Sequence, residues 1–197
     1  MKHVDEYRDP ELAERLIEAI KKLATEPIHI MEICGGHTHA IFRTGIDQLL
    51  PSTIHLIHGP GCPVCVTPME KIDQVIALAR RPNTIIATYG DMLRVPGSES
   101  SLLQEKARGA NVKIVYSSLD AVRLAKENPD QEVVFFAVGF ETTIPANGYS
   151  IIYAKDLGIQ NFSVLGNHVL VPPVIRALLD DPEVKIDAFI GPGHVST

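Results

Sequence analysis

The sequence predicts an α/β protein: mostly parallel sheets with helices on both faces, Rossmann-like, built as two similar lobes with the second incomplete. Two observations carry this expectation. Short Val/Ile-rich runs alternate with amphipathic helical patterns along nearly the whole chain, as strands buried on both faces require. Nearly every such run ends in a glycine-rich polar cluster, the position from which open parallel sheets bind ligands. No fixed-period repeat and no low-complexity tract competes with this reading.

The elements follow in order. Asp9-Pro10 opens the first helix, with an aspartate to cap and proline at the first helical position. Leu12, Leu16, Ile17, Ile20 and Leu23 then recur at helical spacing. "IHIMEI" is a buried strand ending at Cys34, and "TIHLIHG" a second strand ending before Gly59. Thr67-Pro68-Met69-Glu70 has the form of a capping box, and Met69, Ile72, Val75, Ile76 and Ala79 line one side of the helix it starts. "NTIIATYG" is a third strand, and "LLQEKARGA" a helix closed by Gly109. Strands "VKIVYS", "EVVFFAVG", "NFSVL" and "DAFIG" then alternate with helices "SLDAVRLAKEN", "PANGYSIIYAKDLG" and "PPVIRALLDD". Pro and polar residues cluster at 128–131, "NPDQ", which predicts a first lobe over 1–129 carrying the cysteine motifs and a second starting at 130 and running to 197.

Composition narrows the function classes. The 197 residues are 45% apolar and 21% charged, ordinary for a globular protein. A net charge of −6 with no Lys/Arg run gives no footprint for nucleic acid or for an acidic membrane surface. No apolar run approaches the roughly 18 residues of a membrane span. "MKHVDEYRDPELAERL" carries charge where a secretory leader needs an apolar stretch. Three cysteines are too few for a disulfide scaffold, so the expected setting is the reducing cytoplasm.

Six polar clusters follow strands: "CGGHTH", "GPGCPVC", "YGD", "GFETT", "GNH" and "GPGH". Turn chemistry accounts for the glycines, but not for Cys34, Cys62, Cys65, His37 and His39. Cys62 and Cys65 form C-x-x-C in a Gly/Pro loop beside a helix start, a spacing used for half a metal site or for a thiol–disulfide pair. Thr67 as cap would set the helix dipole to favour a Cys65 thiolate. Cys34, Cys62 and Cys65 with His37 or His39 could close a four-ligand site, although the spacing is not that of a zinc ribbon. Soft thiolates with an open position suit iron or copper as well as zinc. His168 and His194 end later strands and join the site candidates, whereas His3, His29 and His55 read as structural or surface residues. Glu141 is a carboxylate of the same kind of rim, or a helix N-terminal acid, and Thr142 and Thr143 are caps or ligand hydrogen-bonders.

Together "CGGHTHAIFR", "HGPGCPVCVTP", "GFETT" and "GPGHVST" resemble the HypD family of hydrogenase maturation proteins, and the resemblance runs to the last residue. It implies a scaffold on which the Fe(CN)₂CO unit of [NiFe]-hydrogenases is assembled, with a HypC-like small chaperone and a HypE-like cyanide donor. Cys34 would be the iron-side ligand, shared with a cysteine of the chaperone; Cys62 and Cys65 would be further iron thiols or a dithiol relay. His37 and Glu141 belong to the same motifs. Gly35 and Gly36 would leave room for a metal bearing diatomic ligands, and His39, Thr142 and Thr143 would stand near it as hydrogen-bonding groups. Family members also carry a [4Fe–4S] cluster on cysteines of a C-terminal region. Those ligands are not in this chain, whose three cysteines cannot hold a four-cysteine cluster, so it reads as an N-terminal portion. Two other functions stay open on the residues alone: a thiol–disulfide oxidoreductase using Cys62 and Cys65, and a zinc-stabilised interaction module.

Overall fold

A computed structural model describes residues 9–191. His3, His194 and most of "GPGHVST" lie outside the described residues. Seven strands form two separate sheets, both wholly parallel, with helices between successive strands, which is the α/β architecture the alternation predicts. The chain divides into two compact units. One runs to Cys62 and resumes at Val174; the other is Pro63–Pro173.

The first unit begins with helix α1 (Pro10–Leu23), where Asp9 accepts the Leu12 amide at 3.0 Å as its sequence position promises. Strand β1 (Ile28–Glu32) leads into helix α2 (Gly35–Thr44) and the single turn α3 (Ile46–Leu49), then strand β2 (Ile54–His58). The last strand among the described residues, β7 (Ala188–Ile190), returns to pair with β1, giving the order β2-β1-β7. Asp187 fastens it by accepting the His29 backbone N–H at 2.7 Å.

The second unit holds α4 (Met69–Ala79), β3 (Thr84–Thr88), α5 (Leu102–Ala107), β4 (Asn111–Ile114), α6 (Ser118–Glu127), β5 (Glu132–Phe140), α7 (Ile144–Asp156) and β6 (Phe162–Val169), with strand order β4-β3-β5-β6. Helix α8 (Val171–Asp180) starts in this unit and ends in the first. Strand β5 shows why a continuous apolar run is needed here. Val134, Phe136 and Val138 enter a core with Ile72, Val75 and Ile76 of α4. Val133, Phe135 and Ala137 enter another with Ala121 and Ala125 of α6. Alternate side chains point to opposite faces of a strand, so burial on both sides removes the polar alternation of a half-exposed strand.

Three expectations meet a different structure. The 129/130 boundary falls in the turn between α6 and β5, inside the second unit, because β5 pairs with β3 along five residues. Among the described residues the three-stranded sheet is that of the first unit, with β7 beside β1. The capping box at Thr67 does not form. Pro68 stands at the N-cap of α4, and the Thr67 hydroxyl instead donates to the Pro63 carbonyl at 2.8 Å.

Candidate functional site

In the first unit, β1 is the central strand, and the sheet order reverses on passing from β2 to β7. A crevice at such a switch point is where open parallel sheets place ligands, and β1 ends there at Glu32, two residues before Cys34. "CGGHTHAIFR", expected as a polar cluster after a strand, is the start of α2. Cys34 is its N-cap, in extended backbone (φ −158°, ψ 124°), and its carbonyl accepts the His37 and Thr38 amides at 2.8 and 3.1 Å. Gly35 and Gly36 therefore form the first turn, with His37 half-buried behind them and His39 exposed. The helix stops at Gly45, whose φ of 65° is the left-handed conformation that glycine adopts without strain.

The second thiol loop lies directly against the first. Gly35 N–H donates to the Gly61 carbonyl at 3.3 Å, and Gly59 N–H to the Glu32 carbonyl at 2.9 Å. A Cβ at Gly61 would sit 2.0 Å from the Ile33 carbonyl carbon and 2.2 Å from the Cys34 nitrogen. Only glycine lets this backbone approach so closely. A Cβ at Gly35 would stand 3.6 Å from Cys62 Cβ, so the Cys34 and Cys62 segments are neighbours at one rim.

Beneath that rim is Glu32, which sequence motifs did not single out. Its side chain is 0% exposed. Oε2 accepts the Cys34 amide at 3.0 Å; Oε1 accepts the Thr38 hydroxyl and lies 2.8 Å from His58 Nδ1. Burial alone would raise the pKa of this carboxyl, but the hydrogen bonds from Thr38, Cys34 and His58 outweigh it and hold the group below its ordinary value. Register explains the meeting, since Glu32 and His58 are direct partners in the β1–β2 pairing. Phe42 of α2 packs its ring 5.0 Å from that of His58.

Cys65, exposed, belongs to the second unit. The Thr67 amide and hydroxyl reach back to Val64 and Pro63, closing a tight turn around Cys65. Buried Asn167 of β6 anchors this turn by donating to Thr67 Oγ1 at 2.9 Å. Elsewhere in this unit Glu141, Thr142 and Thr143 form a 3₁₀ turn after β5, beside the point where the order β3-β5 reverses the direction of chain progress. Glu141 Oε1 accepts the Val171 amide at 2.6 Å, which satisfies the first residue of α8. The Thr143 hydroxyl turns back to the Phe140 carbonyl at 2.8 Å rather than capping α7, and Thr142 is exposed. "GNH" lies within β6 rather than after it; His168 Nε2 lies 2.8 Å from Asn147 Nδ2, and burial lowers the His168 pKa.

The expected clusters thus divide between two sheet edges. "CGGHTH" and "GPGC" stand at the first sheet, with Gly191 following β7; "YGD" and "GFETT" follow strands of the second. Cys34, Gly35, Gly36, His37, His39 and Cys62 belong to the first unit, and Cys65, Glu141, Thr142 and Thr143 to the second. Among the described residues no group of three or more His, Cys, Asp and Glu side chains is already gathered as a metal cage. Among them, too, no helix is long and apolar enough to cross a membrane.

The fold and rim define an α/β protein with thiol-bearing loops at the carboxyl ends of parallel strands. The family model described as "HypD: Hydrogenase formation hypA family" matches residues 11–197, and the chain belongs to that family. It is 55% identical to the hydrogenase maturation factor HypD of Rhodobacter capsulatus, and 52% identical to that of Escherichia coli K12. A hydrogenase maturation factor HypD from Azotobacter vinelandii is 54% identical. Each alignment covers 100% of this chain and 54% of the relative, so the chain spans about half the length of the curated relatives it matches.

Proposed function

We propose that this chain acts in hydrogenase maturation as an iron-binding scaffold, holding iron as cargo through the thiolates of Cys34, Cys62 and Cys65 while cyanide and CO are added. The observation that carries the reading is the seating of the Cys34 and Cys62 segments on one another, with backbone contact so close that Gly61 admits no side chain. Thiolates are soft ligands suited to low-spin iron, and a site that gains diatomic ligands must keep positions open. A thiol set that leaves coordination sites to the incoming groups and to a partner's cysteine meets both needs.

Within this reading Cys34, at the N-cap of α2 and seated against the Cys62 loop, is the principal iron ligand. Cys62 and Cys65 are either further ligands or a dithiol that delivers electrons. His37 and His39 on the first turns of α2 supply N–H donors toward cyanide nitrogen, and Gly35 and Gly36 keep that approach open. Glu141, Thr142 and Thr143 belong to this reading as the family's "GFETT" motif, which follows β5 in the second unit. A small chaperone resembling HypC and a cyanide donor resembling HypE are the partners, in the reducing cytoplasm where the thiols stay reduced. A [4Fe–4S] cluster does not fit these residues: four cysteines are needed and the chain has three. No step is assigned to it.

Anaerobic addition of Fe(II), followed by absorption in the thiolate-to-iron charge-transfer region, tests the reading. The expected result is one iron per chain, lost in Cys34→Ala and weakened in Cys62→Ala and Cys65→Ala. Iron binding unchanged in Cys34→Ala, with a reversible Cys62–Cys65 disulfide, would instead make the chain a dithiol oxidoreductase. Stoichiometric zinc that resists exchange would make it a structural module.

A further inference from the structure

We propose that Glu32 is the positioning residue of the thiol rim: its carboxylate holds the Cys34 backbone at the head of α2 and fixes the neutral His58 ring with the proton on Nδ1, at the strand end that leads into the second thiol loop. This deepens the iron-scaffold reading and rests on it for its purpose, though not for its geometry.

Glu32 has no access to solvent, and a buried carboxylate is tolerated only where donors replace the lost water. A strand end that needed packing alone would carry an apolar residue, as its neighbours Met31 and Ile33 do. Here three donors converge from three places: the N-cap of α2, the second turn of the same helix, and the end of β2. Two of the three belong to the segments that carry the cysteines, since Cys34 is one of them and His58 immediately precedes Gly59-Pro60-Gly61-Cys62.

A carboxylate only accepts hydrogen bonds, so each neighbour must donate. Cys34 gives its N–H and Thr38 its hydroxyl proton, and His58, 2.8 Å away through Nδ1, must give an Nδ1–H. In the neutral ring the other nitrogen then carries the lone pair. Histidines that bind metals characteristically donate their second ring N–H to a carboxylate in this way, which fixes ring orientation and raises the basicity of the ligating nitrogen. The Phe42 ring, 5.0 Å away, braces the imidazole. Glu32 thus orients both the Cys34 backbone and the His58 ring, which stands at the strand end leading into the Cys62 loop.

The test uses the folded, metal-free chain, so that it stands or falls apart from iron binding. Nitrogen-15 spectra of labelled histidine read the His58 tautomer, and amide hydrogen exchange reads the Cys34 N–H. The wild type is expected to carry the His58 proton on Nδ1. Glu32→Ala should move it to Nε2 and speed Cys34 amide exchange by about tenfold, the effect of losing one charge-assisted bond. Amides of β3, which belongs to the other unit, should keep their rates. Glu32→Gln, with one acceptor oxygen in place of two, should restore the Cys34 protection or the His58 tautomer but not both. A wild-type His58 protonated on Nε2 overturns the proposal even if Glu32→Ala fails to fold. So does a Glu32→Ala chain in which both readouts stay unchanged, or in which every strand amide loosens equally while His58 keeps its tautomer. Failure of iron binding with these signatures intact would remove the scaffold reading and leave the Glu32 network standing.

Discussion

At the scale of single residues, two carboxylates are buried among the described residues, and they are used differently. Glu32 sits under the thiol rim, whereas Glu105 sits in the second unit, where Arg80 and Arg108 reach it at 2.9 and 2.8 Å and Ser100 donates at 2.6 Å. The Arg80 hydrogen bonds, then that of Ser100, hold the Glu105 pKa at about 2, against an ordinary 4.5. A folded-state pKa lowered in this way adds stability that is complete above the unfolded value and is lost as pH falls through the folded one. Stability should therefore drop between about pH 4.5 and about pH 2, and Glu105→Gln should flatten that limb in acid titration followed by circular dichroism. At neutral pH the same variant should lose about 2 kcal/mol, the scale of hydrogen bonds to a charged group; both arginines are well exposed, so solvent screens the remainder. The cysteines announced themselves by type and spacing. Glu32 and His58 did not: a glutamate on an apolar strand and a histidine at a strand end carry no motif, and only the β1–β2 register brings them together.

At the scale of elements, most strands and helices were legible because their burial is periodic. Capping chemistry placed α1, Gly109 closed α5 with φ 106°, and the unbroken run of β5 matched its burial on two faces. Helix α2 was missed because Gly, Gly, His and Thr are poor helix formers; the Cys34 carbonyl and the Glu32 carboxylate start it instead. The capping box at Thr67 failed for a related reason, since Asn167, a hundred residues away in sequence, claims that hydroxyl. The loop packing yields a contrast between two neighbouring glycines. Gly61→Ala drives a Cβ into backbone atoms of Ile33 and Cys34 and should destabilise the first unit by about 3 kcal/mol, the upper range for overpacking. Gly35→Ala meets Cys62 Cβ at an ordinary 3.6 Å and sits in a helical turn, so it should leave the melting temperature within a few degrees of wild type. Thermal unfolding of the two variants side by side checks this, and equal losses would contradict the seating of the loops.

At the scale of the whole molecule, the architecture was readable as α/β with parallel sheets, but the partition into units was not. Composition marks a break at "NPDQ", yet partition follows strand pairing, and β7 joins β1 across more than 150 residues of sequence. Local signals hold no record of such a pairing. The family reading came from motifs spread over the chain, and the match over residues 11–197 carries it. The function proposed for the chain is chemical: thiols that would grip an iron while it acquires cyanide and CO. Infrared spectroscopy tests this, on the chain and on a full-length relative, each purified anaerobically with the proposed HypC-like chaperone after co-expression with the proposed HypE-like cyanide donor. Iron held by Cys34 would give CN and CO stretching bands in the complexes and lose them in Cys34→Ala, with the fold preserved. Bands that persist without the Cys34 sulfur would contradict it.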